Sequence, residues 1–155
     1  MEIFINPAKT CAVTGHRIVD GKFCTEKLKK CFYKLVEGGY DTFLVGMAIG
    51  FDTLCFQTLE SVRREKNIKI IACIPCETQS AKFNKSQKEE YVRMLNSADG
   101  KIMISTEYTP RCMHKRNVFM VDNSSCLIAY INRDFGGTAN TVKYAEKKGV
   151  MIIRV

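Results

Sequence analysis

Four short segments of this 155-residue chain concentrate the residue types that bind anions or move protons. Thr14-Gly15-His16-Arg17 sets a glycine among a hydroxyl, an imidazole and a guanidinium. Glycine lets a backbone approach a ligand closely, arginine makes paired bonds to phosphate, and histidine exchanges a proton near neutral pH. The second segment, Gly46-Met47-Ala48-Ile49-Gly50-Phe51-Asp52, is a small-residue loop that opens a helix. The unpaired N–H groups and positive dipole end of such a helix attract phosphate. The loop has neither the GxGxxG spacing of a dinucleotide fingerprint nor the closing Lys-Ser/Thr of a P-loop. Asp52 reads as a stabilising first-turn carboxylate, with a contact to a base or ribose as the functional alternative.

The third segment runs from Tyr108 to Asn117 and gathers Arg111, His114, Lys115 and Arg116 around a helix start. A helix dipole disfavours cations there, so an external anion gives a reason for the cluster. The fourth follows the strand that ends at Ile131 and closes on Gly136-Gly137-Thr138, two glycines and a hydroxyl that would cradle a phosphate, with Thr138 as helix cap or direct contact. Beyond the third strand, Glu77 stands where a general base would act, and Gln79 and Lys82 follow in a polar segment within reach of a ligand.

Elements that could bring these loops together are legible in the apolar pattern. Runs of four to seven aliphatic or β-branched residues predict strands at Cys11 to Thr14, Thr42 to Val45, Ile68 to Ile74, Lys101 to Ile104, Cys126 to Ile131 and Val150 to Arg154. Between them, apolar residues three and four apart predict helices over Lys22 to Glu37, Phe51 to Lys66, Lys85 to Ser97, Met113 to Asn123 and Ala139 to Lys148. Strands alternating with helices predict an α/β fold, a Rossmann-like three-layer sandwich on a mostly parallel sheet, as one nucleotide-binding domain over 1–155. Such sheets bind ligands outside the carboxyl ends of their strands, where all four segments fall.

Composition narrows the function classes. The apolar fraction of 46% and charged fraction of 26% are those of a globular chain. No apolar run reaches the roughly 18 residues of a membrane span, and the first residues do not follow a signal-peptide pattern, so a cytoplasmic protein is expected. Most of the eight cysteines lie in apolar runs and read as small core residues. Cys73 and Cys76 form a CxxC without the second pair that a four-ligand zinc site requires, and no metal is expected. A net charge of +8 favours anionic partners, nucleotides or nucleic acids, although the lysines are dispersed over several helices.

The four segments, in this order and spacing, resemble those of the SLOG superfamily, the Rossmann-like clan of the DNA-processing protein DprA and the LOG cytokinin-activating enzymes, and especially its small YpsA-like branch. The resemblance spans nearly the whole chain. It rests on Thr14-Gly15-His16-Arg17, on Gly46 to Asp52, on Arg116-Asn117 with Asp122, and on Gly136-Gly137-Thr138-Ala139-Asn140-Thr141. It implies a nucleotide or nucleotide-derived ligand, ADP-ribose and NAD-type compounds included, held by these loops without a required cofactor, commonly in a homodimer. LOG enzymes hydrolyse the N-glycosidic bond of nucleoside monophosphates with an Arg within MHERK and a Glu within PGGxGTxxE. Met113 to Asn117 is similar to the first motif, with Arg116 in the Arg position. In the second, Thr141 occupies the place of the acidic residue, and a threonine cannot act as a carboxylate.

Three readings follow. The leading one is nucleotide binding or sensing through Thr14, Gly15, His16, Arg17, Gly46, Met47, Gly50, Asp52, Arg116, Asn117, Gly136, Gly137 and Thr138. An N-glycosidase or phosphoribohydrolase would need His16, Glu77 or Asp52 as the missing acid or base. A DprA-like single-stranded DNA binder would need a continuous basic groove with stacking aromatics, for which Phe83 and Tyr108 are the candidates.

Overall fold

The computed structural model describes residues 3–155. Among these residues six strands and five α-helices alternate: β1 (Thr10–Gly15), α1 (Thr25–Glu37), β2 (Thr42–Val45), α2 (Phe51–Arg63), β3 (Lys69–Ile74), α3 (Lys85–Ser97), β4 (Gly100–Met103), α4 (Cys112–Asp122), β5 (Cys126–Tyr130), α5 (Gly137–Lys147) and β6 (Met151–Arg154). The strands form one sheet in the order β4-β3-β2-β1-β5-β6, and every pairing is parallel. The architecture is therefore the expected Rossmann-like sandwich, with the sheet wholly rather than mostly parallel.

Strand alternation divides the core between two layers. Cys11, Val13, Phe43, Val45, Ile70 and Ala72 pack against α1, α2 and α3. The intervening Ala12, Leu44, Ile71 and Cys73 pack against α4 and α5. Phe32, Phe43, Phe51 and Phe56 are fully buried in the first layer, each worth roughly 1.5–3 kcal/mol of apolar burial. The thiols of Cys11, Cys55, Cys73, Cys76, Cys112 and Cys126 are buried and unbridged, as core residues should be.

Two element boundaries move for identifiable reasons. The first helix starts at Thr25 rather than Lys22 because Asp20 forms a local turn, its side chain accepting from Lys22 N–H and its carbonyl from Phe23 N–H. The last helix starts two residues early, at Gly137, because Gly136 adopts φ +96° and turns the chain into it. In contrast, α3 begins where Asn84 and Gln87 exchange side-chain and backbone hydrogen bonds in a capping box.

The chain proceeds outward from β1 to β4 on one side and then returns to add β5 and β6 on the other. The reversal falls between β1 and β5. At their carboxyl ends the two following loops diverge to opposite faces of the sheet and leave a crevice, which positions the site.

Candidate functional site

A cavity of about 600 Å³ opens at that crevice. Its walls combine the loop after β1, through Thr14, Gly15, His16 and Arg17, with the loop after β2, through Gly46, Ala48 and Asp52. From α4 come Arg116 and Asn117, and from beyond β5 come Asn132, Arg133, Gly137 and Thr138. The first segment lines the cavity with all four of its candidate residues, the α4 segment with Arg116 and Asn117, the last with Gly137 and Thr138, and the second with Gly46 and Asp52 alone of its candidates.

The β1 and β2 loops are locked together by two glycines. A Cβ at Gly15 would overlap the Phe51 ring, and one at Gly50 would overlap the Arg17 carbonyl. Gly50 also has φ +84°, a conformation that a larger residue adopts only under strain. Phe51 N–H donates to the His16 carbonyl at 3.1 Å, and the Phe51 ring stacks on Tyr130 at 5.5 Å. The start of α2 is thereby bound to the first loop.

Arg116 was expected to neutralise phosphate, and the structure gives it a different first task. The residue is only 6% exposed. Nη1 donates to the Gly46 carbonyl, Nε donates to Asn117 Oδ1 at 2.8 Å, and Nη2 lies 4.0 Å from the Met113 sulfur. A Cβ at Gly46 would lie 2.8 Å from Nη1, so a side chain there would displace the guanidinium. The same carbonyl accepts from Gln79 Nε2 at 2.9 Å, and Gln79 Oε1 accepts from the Tyr91 hydroxyl at 2.9 Å. Gln79, expected to reach a ligand, is a buried clamp on the loop.

The α2 end of the cavity is less open to an anion than its sequence suggests. Ala48 N–H is taken by the Asp52 carboxylate at 3.1 Å, and Phe51 N–H by His16. Asp52 is buried, and burial pushes its carboxyl up to about 6 against the opposing pull of Arg116 and the Ala48 N–H. A carboxylate in the cavity wall repels phosphate and suits a donor such as a hydroxyl or a ring N–H.

His16 is also buried, and its Nε2 accepts from Asn132 N–H at 3.1 Å. That bond assigns the proton of the neutral ring to Nδ1. Burial, with the nearby Arg133 charge, lowers its pKa, so the neutral form dominates at pH 7. The ring therefore joins the loops after β1 and β5, with Nε2 already engaged.

The start of α5 is different. The N–H groups of Gly137, Thr138 and Ala139 have no acceptor among the described residues, and no side chain caps the helix. Asn140 is the first to bond back, to the Gly136 carbonyl at 3.0 Å. Thr138 is not the cap, and Thr141 Oγ1 donates to the Gly137 carbonyl at 2.8 Å. Arg17 and Arg133 are exposed residues on the same cavity.

Other expected residues fall elsewhere. Met47 and Gly50 line a second pocket on the far side of their loop. Gly136 shapes the turn into α5 without lining the cavity. Glu77 is exposed and lines neither space. The basic cluster at the start of α4 separates, since Arg111, His114 and Lys115 are exposed and only Arg116 turns inward. Arg133 and Asn132 were not selected from the sequence, because their loop carries no feature that ranks one residue above its neighbours. Among the described residues, no helix is long and apolar enough to cross a membrane.

Comparison with known proteins agrees with this fold. Residues 12–151 match the YpsA family model, described as the YspA SLOG family. An uncharacterised SPbeta prophage-derived protein, YoqJ, of Bacillus subtilis strain 168 is 31% identical over 118 residues, covering 68% of this chain and 69% of that protein. Among solved structures, DprA of Streptococcus pneumoniae superposes with a TM-score of 0.69 at 16% identity over 95% of this chain and 50% of the other. DprA of Helicobacter pylori, solved for its single-stranded DNA binding mode, gives 0.68 at 16% identity over 96% and 65%. This chain thus spans half to two thirds of those DprA chains, and at that identity the likeness is one of fold. With the family model covering almost all of the sheet and both loops that meet at its reversal, the chain belongs to the YpsA SLOG family.

Proposed function

We propose that this chain binds a nucleotide or nucleotide derivative, with a phosphate at the start of α5 and the sugar near Asp52. The observation that carries the reading is the set of unpaired N–H groups at the start of α5, where Gly137 and Thr138 line a cavity edged by Arg17 and Arg133. Backbone donors at a helix start and two guanidinium groups are the chemistry of phosphate recognition. Asp52, a buried acceptor in the same cavity, accepts from a ribose hydroxyl or a base N–H. The homodimer implied by the resemblance is part of this reading and is checked by light scattering with and without ligand.

Calorimetric titration with inorganic phosphate, ribose 5-phosphate, AMP, ADP-ribose and NAD tests it. Saturable binding of the phosphate compounds, weakened several-fold in Arg133→Ala, is expected. Absence of binding for every probe overturns the reading.

A second reading, N-glycosidic hydrolysis, draws on one feature: Asp52 is a carboxyl that titrates near neutral pH inside the cavity. Water would add across the C1′–N bond and release free base and sugar phosphate. Because Thr141 is bonded to its own helix and His16 Nε2 is engaged, binding without release of base is the expected outcome. Single-stranded DNA binding is supported by the DprA likeness and the +8 charge, and predicts an affinity that falls steeply with salt.

A further inference from the structure

We propose that the base of the bound nucleotide lodges in an apolar pocket on the opposite side of the Gly46–Gly50 loop from its phosphate. The inference rests on the reading above and extends it to a second subsite. The pocket has a volume of about 390 Å³ and lies between the α2 start, the segment before α3, and α3 itself. It shares no lining residue with the phosphate cavity, yet the two interleave along the chain. Ile18, Gly46, Ala48 and Asp52 face the cavity, whereas Val19, Met47, Ile49 and Thr53 face the pocket. The wall between them is one chain thick. Met47 makes this alternation possible, being the single non-glycine residue with positive φ among those described, at +64°, and its side chain is buried on the pocket side.

The lining selects a flat, neutral ring. Ile49, Leu54 and Met94 supply aliphatic walls, and Phe83 meets Tyr91 edge to face at 5.7 Å. Glu90 is the one charged side chain lining it, and its carboxylate is held by Arg93 at 2.6 Å and Gln57 at 2.8 Å. An ionic occupant would therefore go unpaired. At the edge, Ser86 Oγ and Gln87 Nε2 have no hydrogen-bond partner among the described residues. They match the ring nitrogens and exocyclic groups of a heterocycle, and the volume admits a purine.

A hydrogen-bonded chain ties this pocket to the phosphate cavity. Tyr91 donates to Gln79, Gln79 donates to the Gly46 carbonyl, and Arg116 donates to the same carbonyl from the cavity side. The loop that a phosphate-bearing ligand must cross is thus fixed from both sides. A ligand with an anionic end and a flat apolar end fills both spaces by bending over it.

The test compares AMP with ribose 5-phosphate and inorganic phosphate by calorimetry, on wild type and on Val19→Trp and Ser86→Trp, which fill the pocket without touching the cavity. AMP is expected to bind roughly ten- to a hundredfold tighter than ribose 5-phosphate. In both variants that ratio is expected to fall towards one while ribose 5-phosphate binding persists. Methyl NMR of the wild type gives an independent reading: AMP, and not ribose 5-phosphate, shifts the resonances of Ile49, Leu54 and Met94. Equal affinities in the wild type, a ratio unchanged in the variants that fold, or methyl shifts absent with bound AMP overturn the base subsite and leave the phosphate site standing. Failure of every probe, inorganic phosphate included, overturns both.

Discussion

Replacing Asp52 by asparagine keeps the shape of the side chain and its acceptor for Ala48 N–H, and removes a buried negative charge. Folding raises this carboxyl from 3.8 to about 6, so the folded state holds the proton more tightly than the unfolded chain does. The stabilising contribution of that proton is complete below pH 3.8 and is lost as pH rises through about 6. The ionised group then costs the fold up to about 3 kcal/mol relative to its protonated form. Asparagine recovers only part of that, because burying its amide NH2 group carries a desolvation cost of its own. The variant is expected to exceed the wild type by about 1–2 kcal/mol at pH 7.5, with the gap closing towards pH 4.5. Urea unfolding at half-unit pH steps measures it. His16 has the opposite sense, since its lowered pKa makes the fold lose stability as pH falls through the ordinary histidine value near 6.5. The difference between the two proteins' curves removes that contribution. A difference that does not change between pH 4.5 and 7.5 would falsify the assignment of a neutral-range carboxyl to Asp52. Binding gives a second readout. Loss of the charge should strengthen inorganic phosphate binding on the order of tenfold, while AMP gains less if Asp52 accepts from its sugar.

Three further outcomes follow from the same geometry. Gly50→Ala meets both the Arg17 carbonyl and a φ of +84°, so a loss of roughly 2–5 kcal/mol is expected in thermal or urea unfolding. Wild-type-like stability would show that the β1 and β2 loops are not locked. Tyr91→Phe strips Gln79 Oε1 of its donor inside the protein and should cost about 1–3 kcal/mol, with weaker amide-exchange protection around Gly46. For His16, nitrogen-detected NMR should show a neutral ring with its proton on Nδ1 at pH 7 and a titration midpoint below 6.5; a protonated ring at pH 7 would refute the Asn132 bond.

The strands and most helices were readable because burial on both faces of a parallel sheet leaves near-continuous apolar runs, as in Ile70 to Ile74, and because the intervening helices keep one apolar face. The loops were readable by place for a related reason: in such a sheet every strand-to-helix connection lies on one edge. Which side of a loop a residue faces was not readable. Met47 turns away from the cavity through a positive φ that its residue type does not announce, and Arg116 goes inward while Lys115, of the same charge, stays in solvent. The second depends on a contact far along the chain, with Gly46 lying 70 residues before the arginine that holds it. Thr141 is the instructive case. The sequence shows a threonine where the resemblance implies a carboxylate, and the structure adds that its hydroxyl donates to the Gly137 carbonyl one turn earlier. The unpaired N–H groups at the start of α5 and the Asp52 carboxyl come from different elements that line one cavity. On the proposed reading one ligand would present a phosphate to the first and a hydroxyl to the second, which favours binding over hydrolysis.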